Sequence, residues 1–518
     1  MCGIFYYKGK KYTVSEIKEW MMKTVHRGPD ITKSEKINEH FLGFHRLRIN
    51  GVDEASDQPM FLDEDLALVC NGEIYNFQEL AKENDFVLNT RSDCEIVLHL
   101  YRKYGEKFCD MLYGVFSFVL YDIKADKIMV SRDPIGIRSL YWVPNAMEGP
   151  EQVIASEMKS IPTELDAEQF PPGHYWYDGK LVQWYFHDYT IRENESTDEI
   201  AKNCRELLER EINLRLLSDR PIGCILSGGL DSTAVTSIVN QKIKNLNTYT
   251  IGLEGATDLH YAKMAAKHFG TVHHECIVTE EQFLAAIPET IYQIESWDTT
   301  TVRASTGNYL VAQFIRSCNN GDVVIFCGDV ADELFGSYRG FCLAPNAQRF
   351  QNENVKMLEN IHHYDVLRSD RTISSAGLEA RVPFGGKDFM KYVMELDPKH
   401  KVFDKVKIEK YFLRKGFEDL LPEELCWRRK EAFSDGVSKL ERSWLDIIKE
   451  FVDKIYTDEQ FEELSQKYDV NRPYDKESLY YRELFNKYYP GRDHVIPYYW
   501  KHPFTQQQDP SARKLDCY

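Results

Sequence analysis

The chain has 518 residues, and 64 Lys plus Arg against 82 Asp plus Glu leave a formal net charge of −18. That length suggests about two to four domains, each able to bury its own core, and the acidity excludes a generally basic nucleic-acid binder. With 43% hydrophobic and 28% charged residues, the composition is that of a globular protein without large disordered regions.

The chain opens Met1-Cys2-Gly3-Ile4-Phe5, with neither a basic leader nor a long apolar run, so no signal or transit peptide is expected. A small residue at position 2 favours loss of the initiator Met, which would leave the Cys2 thiol beside a free α-amine of pKa about 8. One residue then supplies both nucleophile and base, and the thiolate can attack a carbonyl to give a thioester. Residues 67–71 and 115–122 are strand-like, rich in branched and aromatic side chains. Residues 174–186 read as a hairpin, because Asp178-Gly179 tolerates the positive φ angles of a tight turn. Between about 188 and 198 the text becomes polar and charged, as in a linker, which divides a first domain (2–190) from a second (198–497).

The second domain has a different grammar. Residues 222–226 form a short apolar run, followed by a glycine-rich turn and by 233–242, where Ala234, Val235, Ile238 and Val239 have helical spacing. Strand-like runs at 248–253, 273–278 and 323–327 alternate with helical segments such as 261–268 and 280–294, which predicts a doubly wound parallel α/β sheet. Beyond about Ala344 the text is mostly helical, and 498–518 reads as a frayed tail. The longest apolar runs fall short of the roughly 18 residues of a membrane span. The 12 cysteines never form a C-x-x-C pair, which points to reduced thiols and a cytoplasmic setting. His268, His273 and His274 lack ligand spacing and are expected to pack rather than bind metal.

Within the first hundred positions His26-Arg27-Gly28-Pro29-Asp30, Arg46-Leu47-Arg48-Ile49, Asn71-Gly72-Glu73-Ile74-Tyr75-Asn76 and Ser92-Asp93-Cys94-Glu95 follow Cys2 in order. Taken singly, Asn71-Gly72 is a turn, Arg46 a surface cation and Asp93 a helix cap. Together they resemble the glutaminase domain of class II amidotransferases, N-terminal nucleophile hydrolases with an α/β/β/α sandwich. The resemblance makes Cys2 the nucleophile, Arg46 the clamp for the glutamine α-carboxylate, and Glu73 and Asp93 the acceptors for its α-ammonium. Asn71 and the Gly72 amide would form the oxyanion hole, with Asn71 and Gly72 also touching the bound glutamine. A guanidinium fork matches a carboxylate, and two acids neutralise one ammonium while excluding peptidyl glutamine.

In the second domain Leu226-Ser227-Gly228-Gly229-Leu230-Asp231-Ser232 stands between a predicted strand and a predicted helix, where backbone amides converge on an anion. No Walker A pattern occurs. The loop resembles that of ATP pyrophosphatases, which implies ATP cleavage between the α and β phosphates. By that resemblance Leu226, Ser227, Gly228, Gly229, Asp231, Ser232, Ile251, Cys327 and Gly328 contact ATP. Asp231 and Asp332 match the positions that hold Mg²⁺, a hard cation suited to carboxylate, phosphate and water oxygens. Either acid alone would equally cap a helix.

The two halves together, with Asp298 to Thr306, Gly377 to Phe384 and Trp427 to Val437, resemble the glutamine-hydrolysing asparagine synthetases from Cys2 to about Pro497. This implies aspartate binding by Thr300, Thr301 and Arg303, and neutralisation of phosphate charge by Lys430. The implied substrates are glutamine, aspartate and ATP, with no nucleic acid or membrane partner and a homodimer as the family's usual assembly. The chain departs from the family at Cys327-Gly328-Asp329-Val330-Ala331-Asp332-Glu333, where the pattern is S-G-E-G-S-D-E. Asp329 replaces a Glu linked to adenylate formation and the ammonia step, one methylene shorter where about 1 Å matters; Asp329 is expected to keep that role. Gly385-Gly386 stands where the family usually has Leu-Asp. A β-lactam-forming relative, which would lack the N-terminal Cys, and an inactive homologue used for binding are the competing readings.

Overall fold

The computed structural model describes residues 1–430, 436–438 and 442–505. Near the N-terminus Ile4 and Tyr6 alternate with Phe5 and Tyr7, so both faces of this segment are apolar and it must be covered on both sides. Strand Gly3–Lys8 accordingly lies inside a six-stranded antiparallel sheet ordered Glu168–Gln169, Tyr141–Trp142, Gln152–Ala155, Gly3–Lys8, His40–Arg46, Ile31–Ile37. A second antiparallel sheet is ordered Lys180–Gln183, His174–Tyr177, Lys127–Arg132, Gly114–Asp122, Leu66–Ile74, Met60–Leu62. Ile4, Tyr6, Leu42 and Phe44 of the first sheet share a core with Val69, Val119, Tyr121 and Val130 of the second. The opposite faces carry helices: Phe5, Tyr7 and Phe41 cluster with Ile17 and Met21 of helix Val14–Met22, and Leu68, Phe118 and Leu120 with Val97, Leu100 and Tyr101 of helix Ile96–Tyr104. The result is the α/β/β/α sandwich. Its hairpin turns at Asp178 and Gly179, with φ of 50° and 77°, but pairing stops at Gln183.

The polar stretch before the second half ends in a capping box. Ser196 accepts from the Glu199 amide at 3.3 Å, and the Glu199 carboxylate accepts from the Ser196 amide at 2.9 Å, which starts helix Thr197–Arg215. A five-stranded parallel sheet follows, ordered Val272–Val278, Asn247–Leu253, Ile222–Ile225, Val324–Phe326, Glu379–Arg381. The chain winds outward one way from Ile222–Ile225 and then returns to its other side at Val324–Phe326. The carboxyl ends of these two central strands therefore form a topological switch point, where doubly wound sheets open a crevice for ligands.

Three features differ from the sequence expectation. Beyond Ala344 the described residues form helices and loops apart from the edge strand Glu379–Arg381, whose two charged residues in three carry no strand signal. Helix Thr299–Ser317 begins at an Asp298 cap, inside a segment otherwise marked only by its family signature. Residues 498–505 are not frayed: Tyr499 and Trp500 are buried, and the Trp500 amide donates to Asp298 at 2.7 Å. Residues 506–518 lie outside the described part. Among the described residues no helix is long and apolar enough to cross a membrane.

The sandwich and the parallel sheet are joined by buried charge. Arg27 donates to Glu157 at 2.7 Å and to both oxygens of Asp370 at 2.8 and 3.1 Å. Arg371 lies 3.0 Å from Glu157 and donates to Glu295 at 2.8 Å. Glu295 in turn accepts from the Met158 and Lys159 amides at 2.8 and 2.7 Å. Burial opposes ionisation of Asp370, yet Arg27 holds it below the usual carboxylate range. Removing one member of such a network strands its partner. Asp370→Asn is expected to lower unfolding free energy by about 3 to 5 kcal/mol, measured by urea titration against the parent chain.

Candidate active sites

Cys2 sits at the start of the central strand of the first sheet, so its position is set by the pairing of Gly3 with His45. Its Sγ lies 3.7 Å from the Leu47 carbonyl, and its carbonyl accepts from Arg27 Nε at 2.9 Å. Burial pushes the thiol up to about 11. Met1 precedes it, fully buried, and its terminal ammonium donates to the Leu378 carbonyl at 3.1 Å; burial lowers this amine to about 6. The thiol and an amine acting on it therefore come together in one residue only after Met1 is removed.

Asn71 reaches Cys2 from the second sheet. The Cys2 amide donates to Asn71 Oδ1 at 2.9 Å, which orients the side-chain amide and leaves Nδ2 buried without a partner among the described residues. A buried N–H left unspent costs free energy unless something arrives to accept it. Gly72 lies opposite Phe116, whose own N–H and C=O are used by Asp133 at 3.3 and 2.8 Å, so the Gly72 amide is not spent on that strand. A Cβ on Gly72 would stand 2.6 Å from the Val115 carbonyl, so no larger residue fits.

The remaining residues predicted for glutamine converge on the same region. Arg46 is buried and donates to the Asp53 and Asn50 carbonyls at 2.8 and 3.2 Å, to the Gly51 carbonyl and to Asp57. Asp57, absent from the sequence reading, is thus its resident carboxylate partner. Glu73 accepts from Asn50, and burial raises it well above the usual range. Asp93 accepts from the Ile74 amide at 2.6 Å and is pushed by burial up to about 6.

At the switch point of the parallel sheet lies a cavity of about 210 Å³. The first wall is the loop that ends strand Ile222–Ile225 and starts helix Leu230–Lys242. Ser227, Gly229, Asp231 and Ser232 line it. Gly228 has φ of 72°, and a Cβ there would stand 2.4 Å from the Tyr261 carbonyl carbon, so the turn requires glycine. The facing wall is Cys327, Gly328 and Asp329 after strand Val324–Phe326; a Cβ on Gly328 would stand 2.8 Å from the Ser232 amide nitrogen. Thr300 and Thr301 line the cavity from their helix, and Thr300 Oγ1 is buried without a partner among the described residues.

Asp231 and Asp332 meet here, joined by Lys410, which bonds to both. Lys430 lies 2.6 Å from Asp332. Burial opposes the charge on Asp332, but Lys410 and Lys430 keep it ionised and far below the ordinary range. Asp231 is raised by burial and by Asp332, and its Oδ1 has no partner among the described residues. Two hard carboxylates with an unspent oxygen, open toward a phosphate-sized cavity, fit Mg²⁺, which is commonly bound by one or two carboxylates plus phosphate and water. Lys410 has φ of 55° and no motif around it, so nothing in the sequence singles it out.

Asp329 is held by Arg368 Nη2 at 2.7 Å and by Ser369 Oγ. Arg368 also bonds to Asp365, which accepts from Tyr338 at 2.8 Å. The next residue is Val330, at φ of 79°, where the family pattern has Gly. A β-branched residue in the left-handed region is strained by about 1 to 3 kcal/mol.

Some predicted contacts lie elsewhere. Arg303 forms a buried fork with Glu477, its Nε at 2.6 Å and Nη2 at 2.5 Å, and is not among the cavity-lining residues. Leu226, Gly228 and Ile251 stand behind the wall rather than on it; Leu226 packs with Ala262 and Leu425. His268, His273 and His274 bond separately to Leu420, Thr248 and Asn247 at 3.0, 3.0 and 3.2 Å.

Residues 1–203 match the family described as a glutamine amidotransferase domain, and residues 203–356 and 343–511 match the asparagine synthase family. Fold and sites thus define a two-domain glutamine amidotransferase. Asparagine synthetase [glutamine-hydrolyzing] of Gallus gallus is 38% identical over 561 residues, covering 100% of this chain and 99% of the relative. The proteins of that name from Bos taurus and Homo sapiens are each 38% identical over 562 residues, with the same coverage. The chain belongs to the glutamine-hydrolysing asparagine synthetase family.

Proposed function

We propose that the protein makes L-asparagine from L-aspartate and ATP with ammonia released from glutamine. The observation that carries this is the presence, in one chain, of a leading thiol near an unspent amide donor and a glycine-walled cavity at the switch point of a parallel sheet.

In the first site, Arg46 would take the glutamine α-carboxylate, exchanging contacts with Asp57 and the loop carbonyls, while Glu73 and Asp93 take the α-ammonium. Cys2 attacks the side-chain carbonyl carbon, its thiol proton passes to the α-amine, and the oxyanion is met by Asn71 Nδ2 and the Gly72 N–H. Donors aimed at an oxyanion contribute a factor of ~100 to 1000 each. Collapse expels ammonia, and water then cleaves the thioester to glutamate.

In the second site, the β-carboxylate of aspartate attacks the ATP α-phosphorus and pyrophosphate leaves, giving β-aspartyl-AMP. Ammonia attacks the acyl carbon, AMP departs and asparagine remains. The Ser227–Ser232 loop would hold pyrophosphate, Lys430 would offset its charge, and Thr300 and Thr301 would contact aspartate. Asp231 and Asp332 would hold Mg²⁺, which when bound neutralises phosphate charge. Lys410 keeps these two acids together until phosphate oxygens arrive. Asp329 keeps the role of the family Glu, positioned by Arg368 and Ser369 beside the strained Val330.

Cys2→Ala is expected to abolish asparagine formation from glutamine while ammonium salts still support it, as measured by asparagine and pyrophosphate release; equal loss with both donors defeats the two-site reading. Since Asp93 is raised to about 6, acid neutralises it and removes one counter-charge for the ammonium. The kcat/KM for glutamine should therefore fall about tenfold per unit below that pH and level off above it, as a pH–rate series will show. Asp329→Ala should lower ammonia-dependent synthesis by ~100-fold or more, in line with general-base catalysis. An unaffected Ala variant, or no pyrophosphate release from the parent with any amino acid, favours an inactive binding homologue.

A further inference from the structure

The edge strand Glu379–Arg381 belongs to the parallel sheet, yet one of its side chains enters the pocket proposed for glutamine. Arg381 Nη2 lies 3.3 Å from Glu73 Oε2. Its Nε donates to Glu379 at 2.9 Å, and its Nη1 donates to the Leu217 carbonyl at 2.6 Å and to the Arg215 carbonyl. The guanidinium is therefore buried and oriented from both ends, with Nη2 left to face Glu73.

Glu73 needs that charge. Around it the sandwich supplies Asp93 from the turn Asp93–Glu95, Arg138 from the loop after Lys127–Arg132, Tyr75 and the Asn50 amide, and the edge strand supplies Glu379 with Arg381. Arg138 is 3.3 Å from Glu379, so much of its charge is already matched. Three buried carboxylates thus face two guanidiniums and the N-terminal ammonium, which acts on Glu379. A neutral Glu73 cannot accept a full ammonium charge, and burial with two acidic neighbours drives it toward neutrality.

We propose that Arg381 is a positioning residue of the glutamine pocket: reaching across from the synthetase sheet, it favours the charged form of Glu73 and aims it at the α-ammonium of glutamine. The glutamine site is then composite, completed by the other domain. The inference rests on the reading of Glu73 as an ammonium acceptor, and the test separates the two.

Full-length Arg381→Met, Arg381→Gln, Arg381→Lys and Glu73→Gln chains are compared with the parent for glutamine KM between about pH 6.5 and 8.5, and for the glutamine-dependent rate relative to the ammonia-dependent rate of the same preparation. Loss of a charged contact should raise KM ~10-fold or more at neutral pH in the Met variant. The KM should then fall as pH rises and Glu73 ionises unaided, along a slope displaced to higher pH than the parent's. Arg381→Gln, which retains a donor for the Leu217 carbonyl, gives the same reading if the Met chain does not accumulate. Arg381→Lys should recover most of the affinity and the parent's pH profile. A neutral variant whose KM stays within about twofold of the parent, or rises without a displaced pH slope, or is not improved upon by Lys, overturns the proposal. An unchanged KM in Glu73→Gln overturns the reading of Glu73 itself.

Discussion

The arrangement of both sites depends on the charged seam buried between the sandwich and the parallel sheet. Arg27, Glu157, Arg371, Glu295 and Asp370 pair with one another while all five are buried. Such a seam adds little net stability compared with apolar packing of the same volume, but it tolerates no change of register, because each slip leaves a charge unpaired. Arg27 also holds the Cys2 carbonyl. The docking of the two halves and the placement of Cys2 are thus one constraint.

From that seam the edge strand Glu379–Arg381 runs along the parallel sheet. On one side it pairs with Val324–Phe326, and the Cys327 amide at the start of the cavity loop donates to the Arg381 carbonyl at 3.1 Å. On the other side the Arg381 side chain meets Glu73. Arg381 therefore touches both regions. Leu378, just before the strand, receives the N-terminal amine. The thiol sits against a paired strand rather than a loop, which suits the proposed attack, whose geometry must be held within a fraction of an ångström.

The cavity has a different economy. Its walls are strand ends and a glycine turn, rigid by backbone pairing, while its charges are closely balanced: Lys410 and Lys430 against Asp231 and Asp332, Arg368 against Asp329 and Asp365. In an acidic chain, this local pairing lets a polyanion approach without the mean charge deciding the outcome. Val330 at positive φ, beside the shortened Asp329, shows strain at the same place where the chain departs from its family.

Much of this was legible in the residues themselves. The thiol at position 2, the ordered motifs behind it, the strand-to-helix glycine loop and the alternation of the second domain are local patterns, written within a few residues by turn geometry and side-chain chemistry. The roles of Arg381, Lys410, Asp57 and Arg368 were not legible, because each acts on a carboxylate or loop brought to it by the fold; Arg381 stood out only as part of the Gly377 to Phe384 segment, and the others read as solvated charges. Arg303 shows the complementary limit: its motif is intact, but its partner Glu477 lies 174 positions away. Sequence alone settled which chemical groups the chain carries and the elements that bear them, since those follow from short-range propensity. Only tertiary structure decided which charges meet, because pairing across long separations is set by packing and burial.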